Sequence, residues 1–157
     1  MTAWQERSDI PAAYLNPALL AALVSASAYG YAQEAGHPMP WPLIFIACPL
    51  VLHRPTRQAL PTTTRTHLST WVSRNPLIRA GFPARADSLV SFVREALRFG
   101  LHQGLLLFEN GGLRGTQVRP SDTQEAQSLL QAATLVGRWL GKTDQPSTAF
   151  ALFGVAL

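Results

Sequence analysis

The chain is poor in the residues that mark secreted proteins and most enzymes. Its 157 residues include one cysteine, Cys48, so no disulfide framework can form within the chain. Cys48 closes the apolar run Ile44-Phe45-Ile46-Ala47-Cys48. That is the setting of a small core residue, whereas a reactive thiol needs an electropositive and partly exposed one. A free buried thiol fits a reducing compartment. Met1 to Asp9 is polar and of mixed charge, without the apolar core of a leader, and the expected location is the cytoplasm. The longest apolar stretches, Ala18–Ala28 and Trp41–Leu52, fall short of the roughly 20 residues of a membrane span. Pro42 and Pro49 interrupt the second. No membrane association is expected.

Catalytic constellations are missing as well. The four histidines, His37, His53, His67 and His102, form no helical pair and have no neighbouring carboxylate in sequence. Metal sites need clustered ligands, so none is expected. There is no GxxxxGK[ST] or GxGxxG phosphate cradle. Gly111-Gly112-x-x-Gly115 sits in an expected hairpin turn and is read as turn chemistry. Among the nine acids, Asp122 and Glu125 lie close together, and helix capping accounts for them. The chain is therefore expected to be no enzyme and to hold no cofactor.

Charge is scarce too, at 14% of residues against a typical share of roughly 25%. A thinly charged surface points to coverage by a partner. Lysine is nearly absent: the 13 basic side chains include a single lysine, Lys142. Arginine recognises carboxylates and phosphates through a planar fork, although an arginine-favouring codon bias also produces such a composition. Position is more informative. Between Arg54 and Arg119 there are ten arginines against three acids, a local balance of +7, whereas the rest of the chain carries −3. A basic middle with mildly acidic ends points to a patch.

Helical periodicity dominates what remains. Asn16-Pro17 caps and opens a helix through Leu19, Leu20, Leu23, Val24 and Tyr31, ending near Gly36. Trp41–Leu52 reads as a buried helix kinked at Pro49. His53-Arg54-Pro55-Thr56-Arg57 reads as a polar connector, and Thr62, Thr63 and Thr64 offer caps for a helix through Leu68, Trp71 and Val72. Asn75-Pro76 opens a turn or short helix stopped at Gly81. A stronger helix, 83–103, starts at Pro83, its apolar face set by Leu89, Val93, Leu97 and Leu101 and widened by Val90 and Phe92. Residues 105–118 read as a β-hairpin turning at Asn110-Gly111-Gly112. The Ser121 to Glu125 capping box leads a helix to Gly141, and an apolar tail from Ala149 to Leu157 is expected to dock as a short helix or strand. The expected class is mainly α with one β-hairpin (α+β), a single domain over 1–157. Helices running into a hairpin match the order of a winged helix-turn-helix, with the hairpin as wing.

The most unusual polar cluster is 53–57. Arg54 and Arg57 have the chemistry to grip phosphates or partner carboxylates. They suit equally well a wet loop ending a helix, where basic residues favour the C-terminus and proline stops it. The candidate partner- or nucleic-acid-binding set is His53, Arg54, Thr56, Arg57, Arg65, Arg85 and Arg114. Arg74, Arg79 and Arg119 are further arginines of the same stretch. Replacing Arg54 and Arg57 together is expected to abolish function and leave thermal stability nearly intact.

The run Met39-Pro40-Trp41-Pro42-Leu43-Ile44-Phe45-Ile46, continued by Cys48-Pro49-Leu50-Val51-Leu52-His53-Arg54-Pro55-Thr56-Arg57, resembles the middle component of bacterial three-component ABC systems. Trp4 and Arg7, Leu15-Asn16-Pro17, Arg85-Ala86, Arg94-Glu95-Ala96, the Gly104–Gly112 stretch and Leu152-Phe153-Gly154-Val155 extend the similarity over nearly the whole chain. The resemblance implies an accessory protein beside an ABC-type ATPase of the DNA-repair and chromosome-maintenance kind and a third, variable component. Such systems look like bacterial conflict or anti-phage modules. The middle component would bridge ATPase and effector without hydrolysing nucleotide. No functional residue carries over from the family. A DNA-binding winged helix using its arginine-rich face, and a dimerising domain, remain alternatives.

Overall fold

A computed structural model describes residues 10, 12–116, 123–143 and 145–156. After a 3-10 turn at Ala12–Leu15, helix α1 spans Pro17–Ala35. Its ends are as the sequence dictates. Asn16 Oδ1 accepts from Ala18 N at 2.8 Å, Pro17 takes the first position, and Gly36 closes the helix at φ 78°. Burial runs without a break from Leu23 to Ala28, so α1 is wrapped on all sides.

Beyond α1 come a short strand β1, Met39–Pro40, a 3-10 turn at Trp41–Leu43, and helix α2, Ile44–Leu52, with Pro49 inside it. The helical reading of the apolar run thus holds. Helix α3, Arg54–Ala59, replaces the connector expected there: Pro55 stands in its first turn, where a missing N–H is harmless. Helix α4, Leu68–Arg74, begins at His67 without a side-chain cap, so Thr62, Thr63 and Thr64 do not serve as the caps foreseen.

A second correction concerns Gly81 and Pro83. Both lie inside one continuous helix, α5, Pro76–His102. An interior proline costs about 3 kcal/mol. Phe82, fully buried with its ring centroid 4.5 Å from that of Phe153, and the buried Ala86 flank it. Burying one such aromatic contributes about 1.5–3 kcal/mol, so packing on both sides of Pro83 offsets the break. The core face of α5 runs through Phe82, Ala86, Leu89, Val93, Ala96 and Gly100, while Leu101 is left exposed. The helix stops in a Schellman turn: Leu105 N bonds Gly100 O, and Gly104 N bonds Leu101 O with Gly104 at φ 75°.

Strands β2, Leu106–Glu109, and β3, Gly112–Gly115, make the hairpin, with Asn110 and Gly111 at positive φ. The return strand is shorter than expected, and residues 117–118 lie outside those described. β1, not anticipated, pairs antiparallel with β3 (Met39 with Leu113) and completes a sheet of order β1-β3-β2. Helix α6, Gln124–Gly141, and helix α7, Pro146–Phe153, finish the fold. Of the expected capping box, residues 121–122 are outside the described set; Thr123 Oγ1 accepts from Ala126 N.

The protein is therefore mostly helical with a small antiparallel sheet. One apolar cluster draws on α1, α2, α4–α7 and all three strands. A helix-turn-helix is not established. Its two helices are joined by a 3–4-residue turn, whereas residues 53–75, between α2 and α5, hold α3 and α4.

Two close approaches fix the layers. α1 and α6 meet at glycines: a Cβ on Gly137 would lie 1.9 Å from Ser27 O, and one on Gly30 would lie 2.3 Å from Thr134 O. Ser27 Oγ donates to Ala133 O at 3.0 Å across the same seam. The sheet is pinned to α1 by Ser25, whose Oγ accepts from Thr116 N at 2.9 Å and lies 3.1 Å from the carbonyl oxygens of Leu105 and Thr116.

Candidate interaction surfaces

The 53–57 cluster folds inward. Nδ1 of His53 and Oγ1 of Thr56 are hydrogen-bonded at 2.6 Å, with His53 6% exposed and Thr56 fully buried. Arg57 donates from an η nitrogen to Val51 O at 2.6 Å. It thus satisfies an orphan carbonyl at the end of α2 and complements the negative end of that helix. Its guanidinium lies over the Tyr14 ring, 5.9 Å from the centroid. The Tyr14 hydroxyl in turn donates to the Glu125 carboxylate. That hydrogen bond, with burial behind it, raises the Tyr14 hydroxyl above its ordinary pKa. Three members of the expected set therefore form a staple joining α2, α3, the 12–15 turn and α6.

The other candidates sit apart from the staple. Arg54 is exposed at the start of α3. Arg65 is exposed in the 60–67 loop, and Arg85 is half-buried in mid-α5. Arg114, on β3, donates to Glu109 at 2.9 Å across the hairpin, about half of each side chain remaining in solvent. Arg79 donates to Leu152 O at 3.2 Å and ties α5 to α7. Arg119 lies outside the described residues.

A surface that sequence reasoning did not find lies at the start of α2. It is an apolar groove of about 620 Å³ between the 3-10 turn at Trp41, helix α5 and the end of α7. Trp41 is 42% exposed there and meets Phe45 edge-on, with centroids 6.2 Å apart. Val90 and Leu97 line one wall, and Phe150 and Val155 the other. Asp87 and Arg94, two helical turns apart on α5, supply one charge of each sign. The available signal was Val90, seven residues before Leu97: it widens the apolar face of α5 beyond what the core covers.

Residues 4–157 match the model of a family described as ABC-three component (ABC-3C) system Middle Component 3. The chain belongs to the Middle Component 3 family. No curated protein and no solved structure is detectably similar to it. Middle Component 3 is by its description one part of a multi-component system, which implies further components. Among the described residues no three His, Cys, Asp or Glu side chains gather as a metal site. Among the same residues no helix is long and apolar enough to cross a membrane. Cys48 is buried, and burial pushes its thiol up to about 12.

Proposed function

We propose that this Middle Component 3 chain is a non-catalytic adaptor, working in the cytoplasm, that links an ABC-type ATPase to a further component of a bacterial defence system. The groove at Trp41 takes an amphipathic segment of one of those components. The observation that carries the reading is the Trp41–Phe45 groove: a half-exposed tryptophan over an apolar floor, flanked by one acid and one cation. Aromatic anchors in apolar pockets dominate binding energy at protein interfaces. Asp87 and Arg94 lie at groove positions where they favour one orientation of the docked segment.

The test is co-expression of the tagged chain with the ATPase and the third component of its own system. The expected result is recovery of both with the wild-type chain and loss of at least one with Trp41→Asp or Val90→Asp, while circular dichroism stays unchanged. Recovery undiminished by both substitutions overturns the groove. Nucleotide hydrolysis by the purified chain alone overturns the non-catalytic reading.

A second reading, a DNA-binding winged helix, draws on the basic middle of the chain and on the hairpin that follows α5. Arg57 and Arg114 already have protein partners in this fold, so the adaptor is favoured. The DNA reading requires affinity that falls steeply with salt, and a filter-binding titration at two salt concentrations separates the two.

A further inference from the structure

A smaller pocket, about 240 Å³, opens between the 64–69 segment, the end of α6 and α7. It is smaller than the roughly 300–1,000 Å³ of sites that enclose drug-sized ligands. Its chemistry is of one kind. Arg65, His67 and Lys142 line it, and no described acid does. Thr64, Thr66, Thr143 and Thr148 add hydroxyls.

The frame is held from both ends. Trp139 Nε1 donates to Thr66 O at 2.7 Å, and Lys142 Nζ donates to Thr64 O at 3.2 Å. The two donors stand three residues apart, one helical turn, so the end of α6 clamps the loop on either side of Arg65. The backbone carrying Arg65 is thus set before any ligand arrives. Thr64 is only 9% exposed and lines the pocket, with its carbonyl taken by Lys142. An oxyanion entering the pocket would accept hydrogen bonds from the threonine hydroxyls that line it.

We infer that this pocket binds a phosphate group. Arg65 and Lys142 supply charge, and the threonine hydroxyls supply donors to the phosphate oxygens. The source is either free phosphate or the terminal phosphate of a nucleotide or nucleic-acid end. The site is distinct from the groove proposed for protein docking, and it does not depend on that proposal.

The test is titration of the full-length purified chain with inorganic phosphate, followed by amide chemical shifts, with sodium chloride at matched ionic strength as control. Saturable shifts confined to 64–69, 142–143 and 147–148, with a Kd on the order of 1 mM or tighter, are expected. Arg65→Ala with His67→Ala should weaken binding at least tenfold without moving the melting temperature. Thr64→Val, which keeps the shape and removes the hydroxyl, should weaken it several-fold. Parallel titrations with a short oligonucleotide bearing a 5′-phosphate and the same oligonucleotide bearing a 5′-hydroxyl assign the source. Tighter binding of the first indicates a nucleic-acid end, and equal binding of the two indicates free phosphate. Shifts that chloride reproduces, that spread over the whole surface, or that survive the double substitution overturn the proposal.

Discussion

His53, Thr56 and Arg57 show how a residue pattern can be visible while its role is not. The pattern was visible in the sequence because a compact polar cluster follows directly on an apolar run. Its direction was not: a buried His–Thr hydrogen bond and an arginine folded back onto helix-end carbonyls look, in one dimension, the same as a wet basic loop. The structure makes a stability prediction that separates them. Thr56→Val removes the hydroxyl that His53 Nδ1 bonds and should lower the unfolding free energy by about 1–3 kcal/mol. Arg57→Ala should cost about 1–2 kcal/mol, whereas the exposed Arg54→Ala should stay within about 0.5 kcal/mol. Urea denaturation of the three variants checks the order. Cys48 makes a pH prediction. Burial raises its thiol pKa in the folded state, as it does the Tyr31 hydroxyl, and the Tyr14 hydroxyl rises mainly through Glu125. The folded chain keeps protons that the unfolded chain releases. Stability contributed by Cys48 is therefore intact below the ordinary thiol range of about 8.5 and falls as pH rises from there toward 12. Cys48→Ala should flatten the decline measured between about pH 9 and pH 11, and native protein should resist thiol reagents that label the unfolded chain.

Among the elements, those with their own punctuation were legible. α1, α6 and the hairpin carry a cap, a period and a glycine, and each stands within a few residues of its expected place. α5 was misread because proline and glycine are strong local signals, and only the packing of Phe82 and Ala86 outweighs them. β1 was invisible because two residues paired to a distant strand leave no period to read. The apolar face of α5 was read through Leu89, Val93, Leu97 and Leu101; Leu89 and Val93 are in the core, but the face continues through the small residues Ala86, Ala96 and Gly100, with Leu97 only partly buried and Leu101 exposed. Gly100 lets Leu106 approach, since a Cβ there would lie 2.6 Å from a Leu106 methyl carbon. The same logic governs the α1–α6 seam. Gly137→Ala places a methyl against the Ser27 carbonyl, which is backbone and cannot swing aside. The variant should lose at least about 2 kcal/mol, read as a lowered denaturation midpoint. Alanine at Gly36 meets no neighbour and carries only the strain of its positive φ, so it should cost less.

At the scale of the whole molecule, the charge pattern pointed to one basic face, and the fold distributes it. Arg57 and Arg79 hold helices together, Arg114 meets Glu109, and Arg65 lines the small pocket. What the composition did convey was the shortage of charge. It has its counterpart in the exposed apolar side chains Trp41, Leu77, Leu101, Leu107 and Phe108. Of these, Trp41 belongs to a groove with walls, and it is there that the adaptor account stands or falls. Hydrogen–deuterium exchange on the chain, alone and assembled with the ATPase and third component of its system, reads that surface directly. The account predicts slowed exchange on assembly in residues 41–45, along the groove side of α5 from 86 to 97, and in 150–156. Assembly with those segments unchanged and protection elsewhere would contradict it.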